Sequence, residues 1–283
     1  MQDDKTLAGA IAKAGLGSPE IIHDGVIHRF TGEDDKQGSN NCWYVSYGTG
    51  GAFGSWKLGF TQKWFNGKVS VADKAAVDEK IVLSKKKRAE ELAVNHQRAM
   101  NVAQELYASS SELINHQYSV KKKINAYGAR QISSVLLIPI YVNDELVNIQ
   151  RIYEDGSKWF LKGGRIKGCY FIIGSLSDRV IICEGYATGC SLYEHTGDPV
   201  VVAFNAGNLK SVALSIREKY PKIAIIIAAD NDINTDGNPG RTKGREAALA
   251  VGGKCIYPDF TDEDFDGEGL TDFNDYLVMG GVL

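Results

Sequence analysis

The sequence predicts an α/β protein whose C-terminal part is built on a parallel sheet. Short apolar runs alternate with helical stretches along residues 178–283. The runs lie at 180–183, 200–204, 223–229 and 254–257, and the helical stretches lie near 186–195, 207–219 and 241–251. Strands that alternate with helices in this way form parallel sheets with crossover helices. The runs consist mainly of Val, Ile and Ala without polar alternation, which is typical of strands buried on both faces.

Acidic residues follow two of these predicted strands. Glu184 comes directly after the run 180–183, and Asp230 and Asp232 come directly after the run 223–229. In open α/β sheets, ligands bind outside the carboxyl ends of the strands, so the three carboxylates are expected to converge there. Oxygen ligands of this kind suit Mg²⁺ or Mn²⁺. Spacing alone leaves an alternative open, in which the acids are strand-end caps or solvated turns.

The segment around Glu184 carries a family resemblance. Residues 181–189 read Ile-Ile-Cys-Glu-Gly-Tyr-Ala-Thr-Gly, and this string resembles the E-G-Y-A-T segment of plasmid and satellite-phage primases of the TOPRIM superfamily. Residues 272–275, Asp-Phe-Asn-Asp, resemble the D-F-N-D segment of such proteins. The resemblance also includes 203–209 and 238–245, and it covers roughly residues 125–283. It implies a TOPRIM-type parallel sheet with flanking helices, preceded by a β-rich basic segment. The sequence pattern itself predicts a small α+β module at the N-terminus, before these parts.

The resemblance also implies roles for particular residues. Glu184 takes the position of the acid–base glutamate, which can also bind metal, and Asp230 and Asp232 take that of the Asp-x-Asp pair that binds Mg²⁺ (or Mn²⁺). Asp272 and Asp275 would supply a second acidic group at the metal, although a helix N-cap is an equal alternative for them.

The activity that the resemblance implies is that of a DNA primase. Such an enzyme makes short primers from nucleoside triphosphates on single-stranded DNA in plasmid or phage replication, with a replicative helicase as a candidate partner. A TOPRIM nuclease and a non-catalytic single-stranded DNA-binding accessory remain alternatives, since fold does not fix function. The chain departs from many bacterial primases at Thr188, where they carry an acid, and it has no zinc-binding module.

Basic residues gather just before the predicted parallel sheet. The β-rich segment 119–177 carries five cations against two acids between residues 151 and 167. We expect four of these cations, and two more at the start of the helix after the loop 233–239, to contact nucleotide or template: Arg151, Lys158, Lys162, Arg165, Lys243 and Arg245. The alternative is a solvated hairpin face.

The N-terminal part is predicted to be organised separately. Residues 1–66 read as a small α+β module rich in aromatic side chains, and residues 67–118 as a helical connector, followed by the segments 119–177 and 178–283. Aromatic residues with interleaved Lys57 and Lys63 suit single-stranded bases, but a small core also needs large side chains. The basic run 85–88 suits either a solvated helix face or a nucleic acid.

Composition limits the remaining possibilities. The chain has 283 residues, 43% of them hydrophobic and 24% charged, which is ordinary for a globular protein. Its five cysteines form no C-x-x-C pair, so a structural zinc site is not expected. The net charge is −3, and eight acids with no Lys or Arg lie between 259 and 275. No apolar run approaches a membrane span, and the N-terminus does not resemble a secretory signal, so we expect a cytoplasmic protein.

Overall fold

The computed structural model describes residues 6–67, 70–112, 115–260 and 269–283. These residues form two compact units, which divide between Leu92 and Ala93. That division falls inside the predicted connector 67–118, and the predicted four-part division stays a prediction. Of the acids predicted between 259 and 275, Asp262, Glu263, Asp264, Asp266 and Glu268 lie outside the described residues.

The first unit is a four-stranded antiparallel sheet with one short helix. The helix is α1 (Leu7–Lys13), and the strands, in their order in the sheet, are β1 (His28–Phe30), β2 (Cys42–Ser46), β3 (Gly50–Ser55) and β4 (Phe60–Phe65). The core of the unit is built from α1 and one face of the sheet, and it contains Leu7, Ile11, Leu16, Cys42, Tyr44, Phe53 and Trp64. The helix α2 (Val71–Ser109) begins in this unit and is continuous over its 39 residues.

The second unit begins with the C-terminal part of α2 and an antiparallel sheet. Its elements are β5 (Ser111–Glu112), α3 (Gln117–Lys122), β6 (Arg130–Ile132), β7 (Val135–Val142), β8 (Glu145–Ile152) and β9 (Lys158–Phe160). The strands are ordered as they occur in the chain. The turn between β7 and β8 is made by Asn143 and Asp144, both with positive φ, as two-residue hairpins require. One face of this sheet packs on Ala99 and Ala103 of α2.

The second sheet of this unit confirms the predicted α/β class. Its elements are β10 (Phe171–Ile173), β11 (Arg179–Cys183), α4 (Tyr186–Thr196), β12 (Val200–Val202), α5 (Ala206–Lys219), β13 (Ala224–Ala228), α6 (Pro239–Val251), β14 (Lys254–Ile256) and α7 (Phe273–Val278). The strand order is β10-β12-β11-β13-β14. All neighbours are parallel except β10, which pairs antiparallel with β12.

The antiparallel edge strand β10 was not part of the sequence prediction, which assigned its residues to the preceding β-rich segment. Phe171 and Ile173 are buried and pair with Val202 and Val200 of the parallel sheet, so the segment is held there by its apolar side chains. Among the described helices, none is long and apolar enough to cross a membrane.

Candidate functional site

The strand order brings Glu184 and Asp230 to the same edge of the parallel sheet. The central strand β11 lies in parallel register with β13, and Cys183 is opposite Ala228. Glu184 follows Cys183 directly, and Asp230 lies two residues beyond Ala228. The chain leaves β11 toward β12 and leaves β13 toward β14, in opposite directions along the sheet. Such a reversal opens a crevice at the carboxyl ends of the two strands, which is where α/β proteins bind ligands.

Glu184 is almost fully enclosed at this edge. The residue is 9% exposed, and burial raises the pKa of its carboxyl group. The charge of Asp232 raises that pKa further, whereas hydrogen bonds from the backbone of Asp230 and Ala206 act in the opposite direction. The Oε1 atom of Glu184 is buried and has no hydrogen-bond partner.

Asp230 shares these properties. Burial raises the pKa of its carboxyl group, and the charges of Glu184, Asp272 and Asp232 add to the effect, while Lys158 opposes it. The Oδ1 atom of Asp230 is also buried without a partner. A buried acceptor that lacks a donor costs free energy, and acids crowded together resist ionisation.

The donor set fits a divalent cation in its chemistry. Two neighbouring carboxyl groups present unpartnered oxygen atoms, and hard cations take carboxylate oxygens as ligands. In the part of the chain that the structure describes, no three His, Cys, Asp or Glu side chains are already grouped so that they could hold a metal ion together. The predicted metal roles of Glu184, Asp230 and Asp232 therefore stay predictions.

Asp232 is fixed by the beginning of α6. Its Oδ2 atom accepts a hydrogen bond of 2.9 Å from the backbone N–H of Gly240, and its own N–H donates to Oδ1 of the helix cap Asn238 at 3.0 Å. A carboxylate at a helix N-terminus is stabilised by the helix dipole. Position 240 has no room for a side chain, because a Cβ atom there would lie 2.6 Å from the carbonyl oxygen of Asp230.

Asn231 joins the Asp230–Asp232 loop to the segment before α7. Its backbone N–H donates to the carbonyl oxygen of Thr271 at 2.7 Å, and its side-chain amide donates to that of Pro258 at 2.9 Å. Its Oδ1 atom accepts from Asn238 at 2.8 Å. Asn231 is 4% exposed, so these contacts are shielded from water. They explain how Asp272, distant in sequence, comes near enough to raise the pKa of Asp230.

Asp272 and Asp275 have partners of their own. Oδ1 of Asp272 caps α7 by accepting from the backbone N–H of Asp275 at 3.0 Å, and Oδ1 of Asp275 pairs with Nζ of Lys122 at 2.9 Å. The helix-cap alternative for Asp272 is thus present in the structure. Its second role, as an acid near the metal, stays a prediction that its effect on the pKa of Asp230 supports.

Lys158 and Lys122 lie near enough to the acids for their charges to interact with those of Asp230, Asp272 and Asp275. Loss of surrounding water lowers the pKa of the Lys158 ammonium, although the residue as a whole is exposed, and the charges of Asp272 and Asp230 oppose that effect. The ammonium lies 5.5 Å from the ring centre of Tyr118. Partial burial lowers the pKa of Lys122, but its hydrogen bond to Asp275 and the charges of Asp272, Asp275 and Asp230 together outweigh that effect and raise the pKa. Lys122 was missed, since the sequence offers three adjacent lysines and does not say which one faces α7.

Arg151 and Lys158 lie on opposite faces of the antiparallel sheet. Arg151 pairs with Leu137 and Trp159, whereas Lys158 pairs with Ile152. Paired residues share a face and successive residues alternate, so Arg151 is on the face of Leu137, which packs against α2. The Nε atom of Arg151 is buried without a partner. The structure therefore does not place Arg151 with Lys158.

Lys162 and Arg165 lie in a turn that Asn148 organises. Oδ1 of the fully buried Asn148 accepts from the backbone N–H of Leu161 at 3.2 Å, and its Nδ2 atom donates to the carbonyl oxygen of Arg165 at 3.2 Å. A Cβ atom at Gly164 would lie 2.3 Å from that same Nδ2 atom. Both basic side chains are exposed at the rim of this turn.

Lys243 and Arg245 lie on the exposed surface of α6. Lys243 pairs with Glu246 at 2.9 Å, and the guanidinium of Arg245 lies 5.9 Å from the ring centre of Tyr257. The first N–H groups of α6 already donate to Asp232 and Asn238. The predicted phosphate contact of these two cations at the mouth of the helix stays a prediction.

Phe204, two residues after the strand β12, has an unusual backbone conformation. Its φ is 70°, a left-handed value that is uncommon outside glycine, and its ring meets that of Phe160 edge-on at 6.1 Å. The turn leads into α5, whose first residue, Ala206, supplies a backbone hydrogen bond to Glu184. The small-residue turn was visible in the sequence, but its strained residue was not.

Comparison with known proteins finds a family model and relatives that this chain resembles. Residues 179–282 match the family model of the Toprim domain. The chain is 34% identical over 266 residues to a DNA primase TraC from Escherichia coli, covering 86% of this chain and 25% of that protein. A second DNA primase TraC from Escherichia coli is 30% identical over 274 residues, covering 89% of this chain and 19% of that protein. The chain thus spans a quarter or less of the length of these curated relatives.

Two solved structures also align with the chain at low similarity. One contains the bacteriophage T7 lagging-strand DNA polymerase interacting with primase domains of two gp4 subunits, with 18% identity, a TM-score of 0.40, and coverage of 60% of this chain and 86% of that chain. The other is the Aquifex aeolicus primase, zinc-binding and RNA polymerase domains, with 14% identity, a TM-score of 0.40, and coverage of 99% and 83%. The family match and the curated relatives confirm the predicted resemblance to TOPRIM primases of the plasmid type.

Proposed function

We propose that this chain, whose residues 179–282 form a Toprim domain and which resembles plasmid-type primases, is the catalytic part of a DNA primase in plasmid replication. The reaction would join nucleoside triphosphates on a single-stranded DNA template. The observation that carries the proposal is the pair of buried, unpartnered carboxyl oxygens of Glu184 and Asp230 at neighbouring strand ends, beside Asp232. Nucleotidyl transfer moves negative phosphate groups, and acids next to cations are suited to organise them.

A divalent cation is part of this proposal. Asp230 and Asp232 would hold Mg²⁺ or Mn²⁺, with Asp272 near enough to add its charge. When bound, the cation would offset the charge of the triphosphate during transfer. The hydrogen bond from Gly240 to Asp232 limits how far the Asp232 carboxylate can rotate, so this ligand is oriented before any cation arrives.

Glu184 is proposed as the acid–base residue. Burial raises the pKa of its carboxyl group, which makes it a better proton acceptor than a solvated glutamate. The backbone hydrogen bonds from Asp230 and Ala206 would hold the carboxyl group in place for this role. Glu184 would accept the proton that the attacking hydroxyl group loses.

The cations are proposed to bind the anionic substrates. Lys158 and Lys122 adjoin the acids and would contact the triphosphate, and Lys162 and Arg165, exposed in the turn after β9, would contact the template. The turn is held by the buried side chain of Asn148, so the exposed ammonium of Lys162 starts from a fixed backbone. A replicative helicase remains a candidate partner.

The deciding experiment is ribonucleotide incorporation on single-stranded DNA by the full 283-residue chain. The assay would be run with Mg²⁺, with Mn²⁺ and with EDTA, and the labelled template would be followed in the same reactions. Primase activity predicts short products that need template, nucleotides and metal. Template cleavage without synthesis would instead indicate a nuclease, and binding without either reaction would indicate an accessory protein.

A further inference from the structure

The first unit carries a stack of flat side chains on the face of its sheet that lies opposite the core. The guanidinium carbon of Arg29 lies 4.3 Å from the ring centre of Trp56, and the ring of Trp56 lies 5.8 Å from that of Trp43 at an interplanar angle of 30°. Trp56 is 46% exposed. The core of the unit is built without Trp43 and Trp56, so these two rings are not needed to fill it.

Strand register explains why this surface is flat. Arg29 pairs with Trp43, Trp43 with Gly54, and Gly54 with Thr61, so the four residues form one row across the sheet. Cys42 and Tyr44, the neighbours of Trp43 in β2, lie in the core on the opposite face. The row therefore offers arginine and tryptophan at one side and no bulky side chain at the other.

The helix α2 adds cations next to this row. A narrow cavity of about 100 Å³ is lined by sheet residues that include Trp43 and Tyr47 and by one face of α2. The residues from α2 are Ile81, Ser84, Lys85 and Arg88. Their spacing is that of a single helix face, and Lys86 and Lys87 are not among the lining residues. The basic run 85–88 is thus divided, with two cations beside the aromatic row and two elsewhere.

The charges of Lys85 and Arg88 are available to a ligand. Lys63, another lining residue, pairs with Asp78 at 2.6 Å, which offsets its charge. Within residues 6–67 and 70–92, the structure gives no acidic partner to Lys85 or Arg88. A surface that combines the exposed ring of Trp56 and the half-buried ring of Trp43 with uncompensated cations is complementary to a polyanion that carries flat rings.

We propose that this surface, formed by Arg29, Trp43, Trp56, Lys85 and Arg88, binds single-stranded DNA. Bases would stack on Trp56 and Trp43, and the two cations of α2 would contact phosphates. Single strands are favoured over duplex because their bases are free to stack on protein rings. The site lies wholly in the first unit and needs neither metal nor nucleotide, so it stands independently of the proposed priming activity.

The first test measures binding of a short labelled oligodeoxythymidylate to the full chain in EDTA, without nucleotides. Trp56→Ala should weaken binding about tenfold, in line with the loss of one stacked base, and Trp56→Phe should recover most of it. Glu218→Gln, at an exposed position on α5 in the second unit, should leave binding unchanged. Circular dichroism of each variant would verify that the fold is retained.

The second test uses a matched pair of double variants of the basic run. Lys85→Ala with Arg88→Ala should reduce the slope of log Kobs against log salt by about 1.4, which corresponds to two lost phosphate contacts on a single strand. Lys86→Ala with Lys87→Ala removes the same charge from the same helical turn and should leave the slope nearly unchanged. Equal losses in the two double variants would overturn the proposal, because binding would then follow net charge alone.

A third readout is tryptophan fluorescence in the Trp159→Phe variant. The chain has four tryptophans, and with Trp159 removed the remaining ones are Trp43, Trp56 and Trp64, of which Trp64 is only 7% exposed. Stacking predicts quenching of the signal by single-stranded DNA and little change with duplex DNA. Absence of quenching, equal quenching by duplex, or binding of single-stranded RNA without DNA would each overturn the assignment.

Discussion

The two sheets of the second unit position their functional side chains by different means. In the parallel sheet, Glu184 and Asp230 follow the carboxyl ends of two neighbouring strands. Their positions in the sequence are therefore enough to predict that they lie close together. In the antiparallel sheet, the position of Lys158 depends on which face of the sheet its side chain lies on. Arg151, only seven residues earlier, lies on the opposite face because of the hairpin register. Acids at strand ends can therefore be grouped from sequence alone, but cations within hairpins cannot.

Substitutions of Asp230 and Asp232 are the strongest test of whether the acids at the strand ends form one site. Asp230→Asn and Asp232→Asn keep the side-chain volume and remove ligand charge, so each should abolish primer synthesis, a larger loss than the roughly 10²–10⁴-fold expected for an acid–base residue. The measurement is ribonucleotide incorporation on single-stranded DNA. Asp236→Asn is the matched control, since Asp236 is an exposed acid of the same loop and should have little effect. Full activity in either Asp230 or Asp232 variant would remove the site assignment.

Glu184→Gln separates proton transfer from cation binding at the same edge. The variant should lower the rate of synthesis by about 10²–10⁴-fold while changing metal affinity less than Asp230→Asn does, because an amide cannot accept the proton. Rates at saturating nucleotide and metal titrations by calorimetry provide the two numbers. Glu218→Gln, an exposed glutamate on α5, is the control. If metal affinity falls as far as in Asp230→Asn, Glu184 is a ligand and its acid–base role is wrong.

Lys158→Ala and Arg151→Ala together test whether the face of the antiparallel sheet decides which cation contacts the nucleotide. Lys158 adjoins the acids, so its loss should raise the KM for nucleotides about tenfold, as expected for a charged contact to phosphate. Arg151 faces α2, and its replacement should leave that KM nearly unchanged. Steady-state kinetics of both variants with the same template gives the answer. A larger effect from Arg151 would mean that sheet face does not decide which cation meets the nucleotide.

The smallest expected effect is on stability. Asp230 holds a buried carboxyl group whose ionisation is opposed by burial and by the charges of Glu184, Asp272 and Asp232, so the neutral side chain of Asp230→Asn should raise the free energy of unfolding in EDTA by about 1–3 kcal/mol. Saturating Mg²⁺ should stabilise the unmodified chain and have much less effect on the variant. Urea denaturation with and without Mg²⁺ measures both quantities. A variant less stable than the parent in EDTA would contradict the view that this carboxyl group is strained without a cation.

Much of the fold could be predicted because the parallel sheet has a strong local signal. The runs at 180–183 and 223–229 correspond closely to β11 and β13. The acids that follow them lie near enough for the charge of Asp232 to raise the pKa of Glu184. The position of Asp272 near these acids was predicted only through the family resemblance, because no local pattern shows the hydrogen bond between Asn231 and Thr271 on which it depends. Likewise, the face of Arg151 depends on the pairing of β8 with β7 and β9, and a shift of one residue would reverse it.

The contact between Asn231 and Thr271 also has a consequence for the order in which the site is built during synthesis. The strands β11 and β13 are complete once residue 228 has been made, but the carbonyl oxygen that holds the Asp-x-Asp loop arrives with Thr271. At about 5–20 residues per second, that interval is on the order of seconds, far longer than local folding takes. During this interval Asp230 and Asp232 would lie on a loop that still lacks its contact to Thr271. A chain that ends before Thr271 should therefore fold its parallel sheet yet bind Mg²⁺ more weakly than the full chain, and equal affinity in the two would show that the loop is set without this late contact.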